Sequence, residues 1–225
     1  MNPVILEGAH VRLEPMVAGH HEGLTAAAMD PGIWEFMRDI VRSAGEMSTY
    51  MEAAMRMRDE GTAMPFVTVE RASGAIVGST RFANFDRANN RVEIGWTWLA
   101  QTARRTAINT EAKLLMMTHA FEELGCVRVE FKTDALNERS RAAIKRLGAS
   151  EEGFCASTFS SGADGTAIPF ITVFSTTNGR PFGCGWKRCC GADSPPIHQC
   201  QTAKSLSIDG TTCPKSACRQ RSSAA

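Results

Sequence analysis

Apolar and polar positions change period in the middle of this chain. Across Arg91–Leu99, Val92, Ile94, Trp96 and Trp98 alternate with Glu93, Gly95 and Thr97. This is the two-residue period of a strand, and it sets Glu93 on the face opposite Trp96 and Trp98. Farther on, Met117, Ala120, Phe121 and Leu124 recur at helical spacing, with Glu122 and Glu123 off that face. Between the two lies the loop Arg104-Arg105-Thr106-Ala107-Ile108-Asn109, which opens directly onto the helix.

The same patterning predicts the other elements. Val11 and Leu13 alternate with Arg12 and Glu14 in a strand ending near Pro15. His20–Met29 and Gly45–Glu60 read as helices, the second with Tyr50, Ala54 and Met55 on one face. Pro65–Val69 and Ala75–Phe82 form a hairpin across a turn at Ser73-Gly74. Val127–Thr133 is a strand and Asn137–Leu147 a helix stopped by Gly148. This order makes an α/β domain with a mixed central sheet flanked by helices.

Composition narrows the partners. A hydrophobic content of 43% supports a packed core, and a net charge of +1 gives no electrostatic reason to expect nucleic acid or an anionic membrane. No long apolar run spans a membrane, and MNPVILEGAH has no secretory pattern, so a soluble cytoplasmic protein is the expectation. Nothing in the sequence sets the oligomeric state.

The loop carries the chemistry. A helix N-terminus offers unpaired N–H donors and the positive end of a dipole, and paired arginines add charge and bidentate phosphate geometry. The stretch Arg104–Thr110 therefore reads as a pyrophosphate cradle; the alternative is an ordinary strand-to-helix connection with surface arginines. The chain lacks both G-x-G-x-x-G and G-x-x-x-x-G-K-[ST]. The loop instead resembles the acetyl-CoA loop of the GNAT N-acetyltransferases, Arg/Gln-x-x-Gly-x-Gly/Ala, with Ala107 where glycine is usual and Asn109 at the last small position. EIGWTW before it and NTEAKLL after it, with LEGAHVRLEPM near the start, resemble the branch containing the ribosomal-protein N-terminal acetyltransferases. The resemblance covers about Val4 to Gly153.

This resemblance implies a GNAT-like fold and direct attack of an amine, from a protein N-terminus or a small molecule, on the acetyl-CoA thioester. It implies that Trp96, Thr97, Trp98 and Leu99 hold the pantetheine arm. Arg104, Arg105, Thr106, Ala107, Ile108, Asn109 and Thr110 would hold the pyrophosphate. Asn137 and Ser140 match the family's Asn-x-x-Ser. Ser140 is a candidate to protonate the leaving thiolate, while Asn137 is a CoA contact or simply a helix N-cap. A tyrosine acid common one turn later is replaced by Ile144. Glu93 is the candidate base, directly or through water; the alternative is a structural ion pair. No metal is expected, because Cys184-x4-Cys189-Cys190 lacks paired C-x2-C spacing. A non-catalytic acyl-CoA-binding module or an inactive remnant is the rival reading.

The resemblance stops at Gly153. Glutamate ends at Glu152, leucine recurs only as Leu206, and every cysteine except Cys126 lies beyond Gly153. Regrouping the codons of Asn178–Cys189 by one base permits Glu-Trp-Pro-Ala-Val-Arg-Met-Arg-Leu-Glu-Glu-Val, a wording typical of a final helix. The glutamate at the Trp186-Lys187 junction is forced. The expectation is a core over residues 1–153 whose carboxy-terminal strands and helix are missing, and a frameshifted, disordered Cys/Ser/Thr-rich tail over 154–225.

Overall fold

A computed structural model describes residues 2–156 and 170–177, with side chains through Gly153. The strands are β1 (Leu6–Glu7), β2 (Val11–Pro15), β3 (Ala63–Glu70), β4 (Ile76–Asp86), β5 (Arg91–Leu99), β6 (Arg128–Asp134), β7 (Ser150–Ala156) and β8 (Phe170–Thr177). The α-helices are α1 (His21–Ala28), α2 (Ala44–Asp59), α3 (Ala107–Thr118) and α4 (Glu138–Arg146). The strands form one sheet in the order β1-β2-β3-β4-β5-β6-β8-β7. It is antiparallel except where β5 meets β6.

The two faces of the sheet bury different helices. Ile108, Ala112 and Met116 of α3 pack with Phe66, Phe82, Val92, Ile94 and Phe131 on one side. Met47, Tyr50, Met51 and Ala54 of α2 pack with Val67, Val69, Trp98 and Trp34 on the other. The α2 stripe thus runs through Met47 and Met51, and Met55 lies at its margin. Local signals fix the helix ends. Ser43 caps α2 by accepting from the Glu46 N–H at 3.2 Å, and Gly148 takes φ 79° just beyond α4. After Thr118 the chain makes a π-helical turn over His119–Glu123, so the regular α-helical period ends earlier than the pattern to Leu124 predicts.

Two departures from a regular sheet matter for the site. The first is a bulge: Gly95 pairs with Arg81 and Trp98 with Ser79, so Trp96 and Thr97 together oppose Thr80. Trp96 adopts φ 49° there. The extra residue inverts the alternation, so Thr97 reaches α3 and Trp98 packs against α2. Glu93 therefore shares a face with Trp98, which corrects the simple alternation read from the sequence. The second is a splay. β5 and β6 pair only from Arg91–Glu93 to Arg128–Glu130. Beyond that β5 runs on to Leu99 and β6 to Asp134, and the two strands diverge.

The carboxy-terminal strands are also present, in contrast to the expectation that they are missing. β8 pairs along all of β6 from Arg128↔Thr177 to Asp134↔Ile171, and β7 pairs with β8. The reason is physical: β6 offers a free edge, and FITVFSTT is a β-branched and aromatic run able to satisfy it. The expected final helix and the disordered tail lie outside the described residues. Among the described residues, no helix is long and apolar enough to cross a membrane.

Candidate functional site

The splay opens a cavity of about 820 Å³ between β5, β6, α3 and α4. One wall is the β5 edge from Ile94 to Leu99, which pairs with β4 on one side and has no β6 partner on the other. Such an edge is a template for an added strand or for the amides of an extended ligand. The opposite wall carries Phe131, Lys132 and Thr133 from β6, with Asn137, Ser140 and Ile144 from α4.

The structure brings most of the sequence-predicted residues to this one cavity. Trp96, Thr97, Trp98 and Leu99 line it along the strand; Arg104, Arg105, Thr106, Asn109 and Thr110 line it at the loop and the first turns of α3. Thr106 caps α3, accepting from the Ile108 N–H at 3.3 Å and donating to the Ala103 carbonyl at 2.8 Å. Arg105 takes φ 63°, unusual for a residue with a Cβ. Ala107 and Ile108 turn the other way. Ile108 is buried in the α3-side core, and both border a shallower depression beside His10 and Arg71.

The arginines differ in their commitments. Arg104 donates from Nε to the Leu99 carbonyl at 3.1 Å and lies 3.5 Å from Asp30. Its pKa is pushed down chiefly by burial and then by the neighbouring Arg139 charge, with Asp30 acting the other way. Arg104 thus ties the loop to the end of β5. Arg105, Arg139 and Arg146 line the cavity as well and form no ion pair among the described residues. Cations held close together without a carboxylate favour an anionic ligand.

Asn137 is the N-cap of α4, its Oδ1 accepting from the Ser140 N–H at 3.0 Å. The Ser140 hydroxyl makes no hydrogen bond among the described residues and faces the cavity. Glu93 is placed differently from a residue in contact with the cavity. It is buried behind Gly95, and its Oε2 accepts from Asn84 Nδ2 at 2.8 Å and from Lys132 Nζ at 2.6 Å. An added Cβ on Gly95 would lie 3.2 Å from Glu93 Oε1, so the carboxylate is one residue behind the wall. The geometry is that of an ion pair which fixes Lys132.

Sequence reasoning missed Lys113. It lies on the buried face of α3, lines the cavity and donates to Thr80 Oγ1 at 2.9 Å and Thr97 Oγ1 at 2.5 Å. Burial pushes its pKa from 10.5 to about 7. The signal was available: one helical step back from Met117 along the apolar face lands on Lys113. Among the described residues, no group of three or more His, Cys, Asp or Glu side chains could hold a metal.

Comparison with known proteins bears on the family and the fold. The sequence model of the family described as Acetyltransferase (GNAT) domain matches residues 10–150, more than half of the 225. The chain is 39% identical over 80 residues to the Bacillus subtilis protein named "Putative ribosomal N-acetyltransferase YdaF"; that stretch is 36% of this chain and 43% of the relative. The crystal structure of a GCN5-related N-acetyltransferase from Brucella melitensis matches with a TM-score of 0.72 at 26% identity, over 79% of this chain and 80% of that one. The ribosomal L7/L12 α-N-protein acetyltransferase RimL, solved in complex with coenzyme A, shares the fold with a TM-score of 0.67 at 15% identity, over 79% of this chain and all of that one.

Proposed function

Because the chain belongs to the GNAT family of acetyltransferases, we propose that its cavity binds acetyl-CoA and passes the acetyl group to the N-terminal amine of a protein. The observation that carries this reading is the β5 edge from Ile94 to Leu99, unpaired by β6 and ending at an arginine-bearing loop that opens α3. The residues present fit the co-substrate. The pantetheine arm contains two amides, which suit the open strand edge. The pyrophosphate suits the α3 N-terminus with Arg105, and a phosphate suits Arg139 and Arg146 on α4.

The chemistry asked of the protein is modest. A neutral amine attacks the thioester carbonyl carbon, the C–S bond breaks, and the thiolate takes a proton. Backbone N–H groups along the bulged stretch Trp96–Trp98 are the donors available to the developing oxyanion. The unbonded Ser140 hydroxyl is the donor available to the thiolate. Glu93 acts as a positioning residue that holds Lys132; a base role would require a water between its buried carboxylate and the amine.

The names of two relatives support a protein N-terminus as the acceptor. YdaF is named for ribosomal N-acetylation and RimL for acetylating the α-amine of L7/L12. The test is to incubate the full chain with acetyl-CoA and peptides carrying ribosomal-protein N-termini, with polyamines as the small-amine alternative. Thiol release together with an N-acetylated peptide supports the reading. Thiol release with polyamines alone moves the acceptor to a small molecule, and none with either removes the activity.

A second reading rests on the compositional break after Gly153. In it, residues 154–225 are a shifted reading frame, and the chain keeps the donor site without a complete acceptor site. Restoring the frame after Gly153 should then raise solubility and turnover together. Equal behaviour of the two chains removes the frameshift reading.

A further inference from the structure

The lysine beneath the β5 bulge is not used by the reaction proposed above. Lys113 is buried, with 5% of its surface exposed, and no carboxylate pairs with it among the described residues. Its two hydrogen bonds go to Thr80 Oγ1 and Thr97 Oγ1, which lie 2.8 Å from each other. The hydroxyl protons have other outlets. Thr97 Oγ1 is 3.4 Å from the Gly95 carbonyl, and Thr80 Oγ1 is 3.7 Å from Met116 Sδ. The threonines therefore act as acceptors toward the lysine and use two of its N–H groups. The third position on the nitrogen has no protein partner among the described residues: an ammonium would place an N–H there, a neutral amine its lone pair. The bonding pattern fits the neutral form, and that lone pair belongs to a side chain lining the same cavity as Thr97, Leu99 and Asn109.

We infer that Lys113 is a self-acetylation site, at which the chain's own buried amine accepts the acetyl group when no other acceptor is supplied. The inference rests on the acetyl-CoA reading of the cavity. Lys113 Nζ would attack the thioester carbonyl carbon. The N–C bond forms, the C–S bond breaks, and the proton leaving nitrogen ends on the CoA thiol. The product is one amide and one free thiol. The amide keeps an N–H for one threonine, and a cavity of about 820 Å³ has room for the acetyl group. At pH 7 a group with a pKa of about 7 is about half neutral, against roughly 0.03% for an ordinary lysine. This gives Lys113 a large excess of nucleophilic form over an ordinary exposed lysine.

The experiment uses the full chain with acetyl-CoA and no amine acceptor, followed by intact mass and peptide mapping over time. CoA affinity is measured separately by calorimetry. Lys113 should be acetylated at least about tenfold faster than Lys145, a conservative margin against its excess of free amine. A small reagent, N-hydroxysuccinimidyl acetate, should instead favour exposed Lys145. K113R should lose the fast phase, because guanidinium stays protonated. Should K113R fail to fold, the map on the unaltered chain still decides. CoA binding without preferential acetylation of Lys113 would overturn the inference and leave the acetyl-CoA reading intact. No CoA binding would overturn both.

Discussion

Replacing Glu93 with glutamine separates the two roles open to that residue. The side chain keeps its shape and one carbonyl acceptor but loses the charge that holds Lys132 Nζ at 2.6 Å. A hydrogen bond to a charged partner contributes about 1.5–3 kcal/mol. The Lys132 side chain is 39% exposed and can rehydrate, so solvent screening lowers the expected loss to about 1–2 kcal/mol. In a domain of this size that corresponds to a fall in Tm of about 2–8 °C. Lys132→Met should cost more, because among the described residues it leaves the buried carboxylate with only Asn84 as a partner. The double variant should cost less than the sum, with a coupling of about 1 kcal/mol. Differential scanning calorimetry on the four proteins gives the cycle, and turnover is measured on the same samples. The ion-pair account expects a lowered Tm with the acid limb of the pH–rate profile retained. An unchanged Tm with turnover reduced by about 100-fold or more would refute it and make Glu93 the base.

A Cβ at Gly78 would clash with the Trp98 carbonyl oxygen across the β4–β5 pair, so Gly78→Ala should destabilise by about 3 kcal/mol or more, read as a lower urea midpoint at constant m. Lys113→Met should change the pH dependence of stability. The folded pKa of about 7 lies below the ordinary 10.5, so between those values the unfolded chain binds more protons and native stability rises with pH, by up to about 1.4 kcal/mol per unit. The stability of the unaltered chain relative to Lys113→Met should therefore increase from pH 7 to 10, and a flat difference would contradict the neutral amine. Ser140→Ala should leave the fold intact, since the hydroxyl makes no bond among the described residues, and should lower kcat with little change in acetyl-CoA KM. Equal kcat would remove Ser140 as the proton donor.

The element order and the site wall were legible in the sequence because their signals are local. The Asn137 cap, the stop at Gly148 and the two-residue period of β2 each depend on a few neighbouring residues. The loop's place at a strand-to-helix junction was legible for the same reason, because the change of period on either side of it is local. What failed was non-local. The bulge at Trp96 is set by register against Ser79 and Arg81, and it moved Glu93 onto the face of Trp98. Ile108 was assigned to the cradle from its position in the loop, but the first turn of α3 rotates it into the core. β8 was missed because the composition of residues 154–225 outweighed a short β-forming run whose partner, the free edge of β6, lies about forty residues away. Lys113 was missed for a different reason: the apolar face of α3 was followed forward from Met117 but not backward.

The central claim is that the splayed β5 edge and the loop beside it form an acyl-CoA site, and calorimetric titration of CoA into the full chain tests it most directly. Binding should be seen in the unaltered chain. Replacing Arg104 and Arg105 together by alanine should weaken it at least tenfold, about 1.4 kcal/mol, with Arg105 alone accounting for most of the loss because Arg104 is tied to Leu99 and Asp30. Ala107→Gly should bind equally well or better. Absence of CoA binding by a folded chain, or an unchanged affinity after both arginines are removed, would contradict the account.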